Sequence, residues 1–197
     1  MKVIGITGGI GAGKSTVLNY LKEKYNALIF VTDEIAHDVM EPGGRCYEDL
    51  KKILPEKAFL SDGSLDRNTL ASLMYADREL TQKINNLVHP AVGGYLEENL
   101  EKERQKKERR YVIIESALYD GTGFALLCDE VWNIDVTEDN RKARLMESRG
   151  YSEEKVLSIF KSQARYDEMR KTLKVQIDNN GEPQVTYKEV DEALAAL

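Results

Sequence analysis

A chain of 197 residues with 42% hydrophobic and 31% charged residues is globular in composition and long enough to bury a substantial core without disulfides or metal. Its formal net charge of −6 argues against a general affinity for nucleic acid, because the sequence-independent part of that binding needs excess lysine and arginine. The two cysteines, Cys46 and Cys128, stand far apart in no zinc-ligand or redox spacing, and no apolar run reaches the length of a membrane span.

Lys2 to Thr7 reads as a short buried strand, and Ser15 to Tyr25 carries Val17, Leu18, Leu21 and Tyr25 at helical spacing. Between them, Gly8-Gly9-Ile10-Gly11-Ala12-Gly13-Lys14-Ser15 fills every position of the phosphate-loop pattern G-x-x-x-x-G-K-S/T. Strand, loop and helix form the context that this pattern needs. A polyphosphate has to be wrapped by successive backbone N–H groups, and glycine lets the chain approach and turn closely enough. Gly9, Ile10, Gly11, Ala12, Gly13, Lys14, Ser15 and Thr16 are therefore the expected nucleotide-binding residues. Lys14 is read as a surface cation for the β and γ phosphates, and the Ser15 hydroxyl as the ligand of Mg²⁺. A phosphate loop where a signal peptide would need an apolar core makes the cytoplasm the expected compartment.

Ala27 to Val31 is a second apolar run of strand length, suited to a parallel strand. Asp33 follows it, on the edge where a parallel sheet holds ligands. It reads equally as a catalytic carboxylate or as the N-cap of the helix suggested by Ile35, Ala36 and Val39. From 41 to 110 the texture becomes helical, with expected helices near 46–54, 66–75, 77–88 and 91–110. Asp66 is placed to cap, Arg67 to be a surface charge, and His89-Pro90 to mark a helix boundary. Glu98 with Lys102, and Glu103 with Lys107, have the i,i+4 spacing of a solvated face.

Tyr111 to Ile114 is the next strand candidate, and Glu115 stands at its carboxyl end, where an acid could help organise magnesium. Residues 129–136 hold a further strand. Beyond Glu138, Arg141, Arg144 and Arg149 precede a Gly150-Tyr151-Ser152 turn and a second helix, which resembles a mobile lid closing over a triphosphate. Val175 to Asp178 reads as the last strand, and Thr186 to Leu197 as a closing helix. The fold class expected is α/β, a three-layer phosphate-loop fold with a parallel sheet core, a helical acceptor insertion near 41–110 and a small helical lid near 138–172.

Taken together, these motifs resemble dephospho-coenzyme A kinase along nearly the whole chain. The resemblance rests on Thr7 through Ser15, Asp33 with Ile35-Ala36-His37, Leu65-Asp66-Arg67, His89-Pro90, Arg144-Leu145-Met146 with Arg149, Gln163, and Ile177-Asp178-Asn179-Asn180-Gly181. It implies transfer of the γ-phosphate of ATP, with Mg²⁺, to the ribose 3′-hydroxyl of dephospho-CoA. By that resemblance Asp33, Lys14 and Arg144 are catalytic, and Asp33, Asp66, Arg67 and His89 meet the acceptor. The sequence departs from the family pattern at Val31, where a first acid is usual, and at Glu115-Ser116-Ala117-Leu118. Among rival readings, a kinase of a nucleoside or nucleoside monophosphate would use the same loop and lid. A GTP switch finds D-x-x-G at Asp120 to Gly123 but no N-K-x-D, and an ATP-driven conformational module would want an apolar strand uninterrupted by Asn133.

Overall fold

The computed structural model describes residues 1–117, 119 and 121–197; the expectations that fall on Leu118 and Asp120 lie outside the described residues. Five strands run in chain order as β1 (Lys2–Thr7), β2 (Leu28–Val31), β3 (Tyr111–Glu115), β4 (Glu130–Asp135) and β5 (Val175–Asp178). The helices are α1 (Lys14–Tyr25), α2 (Thr32–Met40), α3 (Tyr47–Ile53), α4 (Arg67–Ala76), α5 (Arg78–Lys106), α6 (Glu138–Arg149), α7 (Glu153–Ser162), α8 (Ala164–Arg170) and α9 (Pro183–Ala196). The chain divides into two compact units, one made of Met1–Phe30 with Glu103–Leu197 and the other of Val31–Lys102.

The first unit is built on the sheet, whose strand order is β2-β3-β1-β4-β5. β1 pairs in parallel with β3 and β4, and β4 with β5. β1 and β3, inside the sheet, are buried along nearly their whole length, which is why they read as near-continuous apolar runs. One face buries Ile4, Ile6, Ile113, Trp132 and Ile134 together with Val17 and Leu21 of α1 and Val190 and Leu194 of α9. The registers Ile6 opposite Glu115, Thr7 opposite Asn133 and Asp135 opposite Asp178 bring the carboxyl ends of β1, β3, β4 and β5 to one edge. That edge is where an open parallel sheet holds ligands. Helix α1, which starts there, is pinned along its length by α9. Asp191 accepts hydrogen bonds from the hydroxyls of Tyr20 and Tyr25 and from Lys24 Nζ, each at 2.7 Å, and Tyr20 stacks on Tyr187 at 4.0 Å.

The second unit contains α2, α3, α4 and most of α5. No helix boundary falls at His89-Pro90: α5 continues through it for 29 residues with Pro90 inside. An interior proline costs roughly 3 kcal/mol or more, since it removes one donor and crowds the preceding turn. Against that cost stands one apolar stripe, Ile84, Val88, Val92, Leu96 and Leu100, every member of which is buried. At roughly 1.5–3 kcal/mol for each buried side chain, the stripe outweighs the proline, and the helix runs on.

The charged end of α5 is the expected solvated face, with Glu98 and Lys102 exposed, but its pairing differs. Glu98 makes its bonds to Arg45 at 2.6 and 3.0 Å. Glu103 is buried and pairs with Lys106 at 2.5 Å and Arg109 at 3.6 Å. Lys107, its expected partner, lies past the helix end at a φ of 56°.

Candidate active site

The phosphate loop leaves β1 at Thr7 and enters α1 at Lys14. Gly11 and Gly13 take φ values of 81° and 78°, the left-handed region that side chains disfavour. Space imposes a second demand. A Cβ on Gly13 would collide with the Asn179 amide, and one on Gly9 would stand 2.5 to 2.8 Å from the Arg141 guanidinium.

Helix α1 begins at Gly13 with no side-chain cap and no acid in its first turn. By contrast, α4, α6 and α7 are capped by the side chains of Asp66, Thr137 and Ser152. An uncapped N-terminus leaves its amides and the positive end of the helix dipole for an anion. Ser15 is exposed there, with Thr16 half-buried beside it.

Lys14 is not the surface cation expected from the sequence. Its Nζ donates to the Gly8 carbonyl at 2.9 Å and stands 3.5 Å from Glu115 Oε1, with the two side chains only 20% and 10% exposed. Two features of the loop's own fold produce this: the chain curls so that Gly8 O faces back toward the first turn of α1, and the β1–β3 register sets Glu115 beside Ile6. The ammonium is thereby held in one place at the mouth of the loop.

The loop is gripped from behind by side chains of later elements. Arg141 of α6 is buried, donates from Nε to Ile10 O at 3.0 Å and from Nη2 to Gln163 Oε1 at 2.5 Å, and stacks over the Phe160 ring at 4.4 Å. Burial pushes its pKa down from the usual arginine value, which is high enough that the group stays charged. The same Gln163 oxygen accepts from Ile10 N at 3.2 Å. Asn179 donates to Ala12 O at 2.8 Å, and Arg144, half-exposed on α6, donates from Nη2 to Asn179 O at 2.6 Å. Arg149 ends α6 exposed.

These contacts give the turn 177–181 its physical sense. Asp178 folds it by accepting from Asn180 N at 2.8 Å. Asn179 holds the phosphate loop, and Asn180 Oδ1 accepts from Thr137 N and Asn140 Nδ2, each at 2.9 Å, at the start of α6. Asn133, an interruption in the sequence pattern of β4, is fully buried and hydrogen-bonded. It accepts from the Tyr166 hydroxyl and donates to Gln176 Oε1, both at 2.7 Å. Burial pushes the Tyr166 phenol pKa up, and the amide of Gly9 opposes that shift.

The first unit therefore brings together Gly9 to Thr16, Lys14, Arg144 and three residues not expected as loop supports, Arg141, Gln163 and Asn179. Asp33, Asp66, Arg67 and His89 belong to the second unit. Asp33 is exposed at the second residue of α2, and Val31 is the cap residue, so the N-cap reading of Asp33 is corrected. A helix beginning two residues earlier than expected moves the carboxylate into the first turn. Asp66 does cap α4, accepting from Asn68 N at 3.1 Å, Thr69 N at 3.4 Å and Thr69 Oγ1 at 2.6 Å, and the bonds to Thr69, hydroxyl first, hold its pKa below the usual value. Arg67 pairs with Glu41, and His89 is half-buried within α5.

No group of three or more His, Cys, Asp or Glu among the described residues could hold a metal ion by itself. The Ser15 hydroxyl oxygen fits as a single protein ligand for a magnesium ion that would be bound chiefly through nucleotide phosphates, which the loop N–H groups would hold in turn.

A parallel sheet with a glycine loop between its central strand and an uncapped helix, fixed lysine included, defines a phosphate-loop nucleotide-binding protein of three-layer α/β architecture. The family model for dephospho-CoA kinase matches residues 2–184, and the chain belongs to that family. It is 32% identical over 192 residues to the dephospho-CoA kinase of Shouchella clausii, covering 98% of this chain and 96% of that one. The dephospho-CoA kinase of Dehalococcoides mccartyi is 35% identical over 180 residues, covering 91% and 89%. Among solved structures, TT1252 from Thermus thermophilus superposes with a TM-score of 0.83 at 30% identity, covering 99% of this chain and 96% of that one. Shikimate kinase from Acinetobacter baumannii shares the fold, with a TM-score of 0.54 at 12% identity over 100% and 94% of the two chains. The chain is an ATP-dependent kinase that phosphorylates dephospho-CoA in coenzyme A biosynthesis.

Proposed function

We propose that the γ-phosphate of ATP passes to the ribose 3′-hydroxyl of dephospho-CoA, with each role carried by a named residue of this chain. The observation that supports this most is the loop from Gly8 to Ser15, wrapped beside a lysine already directed by Gly8 O and Glu115. Backbone amides of the loop Gly9 to Thr16 that are not taken up within the protein, as the Ile10 N–H is by Gln163, bind the phosphates, and Lys14 neutralises charge developing on the transferring group. Ser15 would hold magnesium, which supplies charge neutralisation on the phosphates when bound. Arg144 adds a second cation from α6, and α6 to α8 act as the lid that excludes water during transfer. Asp33 orients the acceptor hydroxyl and takes its proton, while Asp66, Arg67 and His89 meet the rest of the acceptor. The cytoplasm, where ATP is abundant, is the compartment this reading requires. No described helix is long and apolar enough to cross a membrane.

Asp33→Asn tests the assignment of the base. Asparagine keeps the shape but cannot accept the proton, so kcat should fall by about 10²–10⁴ while the calorimetric ATP affinity and Tm stay close to wild type. Turnover within a few-fold of wild type would remove Asp33 from catalysis. Phosphorus NMR of the product tests the position of transfer: a monoester at the ribose 3′ carbon is expected, and a phosphate on any other oxygen overturns the reading.

A further inference from the structure

We infer that Gln163 and Arg141 form a positioning pair that sets the phosphate-loop backbone at Ile10 for ATP. This rests on the kinase reading above and adds a role to residues that reading leaves unused. Both backbone polar groups of Ile10 are engaged: its N–H donates to Gln163 Oε1 at 3.2 Å, and its carbonyl accepts from Arg141 Nε at 3.0 Å. Arg141 Nη2 donates to the same Gln163 oxygen at 2.5 Å, which closes a ring of three hydrogen bonds around one residue. The ring is held rigid from outside. Arg141 is 4% exposed and lies against the Phe160 ring, and the bare Cα of Gly9 makes room for its guanidinium.

Gln163 stands at the joint between α7 and α8, being the C-cap of one and the N-cap of the other. The ring therefore ties the loop to α6 through Arg141 and to the α7–α8 joint through Gln163. A shift of either element moves the third residue of the loop motif, and misplacing a binding group by about 1 Å can cost about 10²-fold in rate. In this arrangement the Gln163 side chain serves as an acceptor, its carbonyl oxygen taking two hydrogen bonds, the number its lone pairs allow. A carboxylate at the same position preserves both bonds, whereas an apolar side chain of similar size preserves neither. A glutamine that touched the triphosphate through its amide N–H would show the reverse, because a carboxylate there would repel phosphate.

The test compares the full chain carrying Q163L or Q163E with wild type, using steady-state kinetics with ATP and dephospho-CoA, thermal melts, and calorimetry with ATP and Mg²⁺ in the absence of acceptor. Q163L should raise KM for ATP by about 10-fold and lower kcat/KM for ATP by about 10²-fold, with KM for dephospho-CoA within about two-fold of wild type. Loss of folded enzyme alone would lower apparent kcat and leave KM for ATP in place. Q163E should recover most of the loss in both kinetics and ATP affinity. A wild-type KM for ATP in Q163L, or Q163E damaged as much as Q163L, overturns the proposal. Failure of wild type to phosphorylate dephospho-CoA would instead sink the kinase reading, and the calorimetric ranking of the three proteins would still decide the role of the ring.

Discussion

Around the phosphate loop, side chains reach across most of the chain to hold one segment of backbone: Arg141 lies 131 positions from Ile10, Gln163 lies 153 from it, and Asn179 lies 167 from Ala12. In the unit Val31–Lys102, Asp66 and Arg67 are satisfied closer to home. Asp66 caps the helix that starts at the next residue, and Arg67 pairs with Glu41, 26 positions away. The first arrangement is pre-organised, its geometry set before a triphosphate arrives, so binding costs little further ordering. Residues of the second kind have to exchange a local partner for a ligand group. Substitutions in the loop should therefore be read mainly in activity, and those at Asp66 mainly in stability.

The largest effect expected from breaking the loop side of that contrast is at Lys14. Lys14→Ala should lower kcat by about 10³-fold, the upper range for removing one pre-organised cationic or hydrogen-bonding group. Because Glu115 then loses the ammonium 3.5 Å away while only 10% exposed, Tm should also fall. Adding Glu115→Gln to Lys14→Ala should restore Tm and leave turnover lost; if turnover returned with Tm, Lys14 would be structural.

Arg144→Ala comes next, with kcat down about 10²-fold and a smaller change in ATP affinity. Weakened affinity with normal kcat at saturation would make Arg144 a ground-state contact only. The smallest effect belongs to the other unit: Asp66→Ala should lower Tm by about 2–4 °C at pH 7 through loss of the α4 cap. The pKa of Asp66 is depressed in the folded chain, so its stabilisation is complete above the ordinary carboxylate range and is lost as pH falls through the folded value. Melts of wild type and Asp66→Ala should converge in acid, and a Tm difference independent of pH would contradict the cap as its source.

The same contrast decides what the sequence made legible. The loop from Gly8 to Ser15 could be read because a phosphate cradle prescribes residue types at fixed spacing, and β1 and β3 because strands buried on both faces leave apolar runs. Asp66 could be read as a cap because capping is local. The supports of the loop could not, since nothing near Arg141 or Gln163 in the chain announces Ile10 as a partner. A partial signal existed: Arg141 and Arg144 lie three residues apart on one helix face, and Asn133 inside an apolar strand demanded a buried partner, which Tyr166 supplies. Pro90 reads as a break because local rules disfavour it in a helix interior, whereas the stripe from Ile84 to Leu100 carries the helix across. Asp33 stayed open because a carboxylate after a strand serves cap and base alike; its place inside α2 removes the first of these and leaves the second to experiment.

The most direct test of the central claim is the rate of phosphoryl transfer by the purified chain with ATP and Mg²⁺ across a panel of acceptors: dephospho-CoA, adenosine, pantothenate, shikimate and nucleoside monophosphates. The account predicts that dephospho-CoA dominates the panel, with kcat/KM at least about 10²-fold above any other acceptor, since a site built to hydrogen-bond its substrate discriminates strongly against compounds lacking those groups. Equal or faster transfer to a nucleoside monophosphate or to shikimate, or ATP consumption that ignores the acceptor, would contradict it.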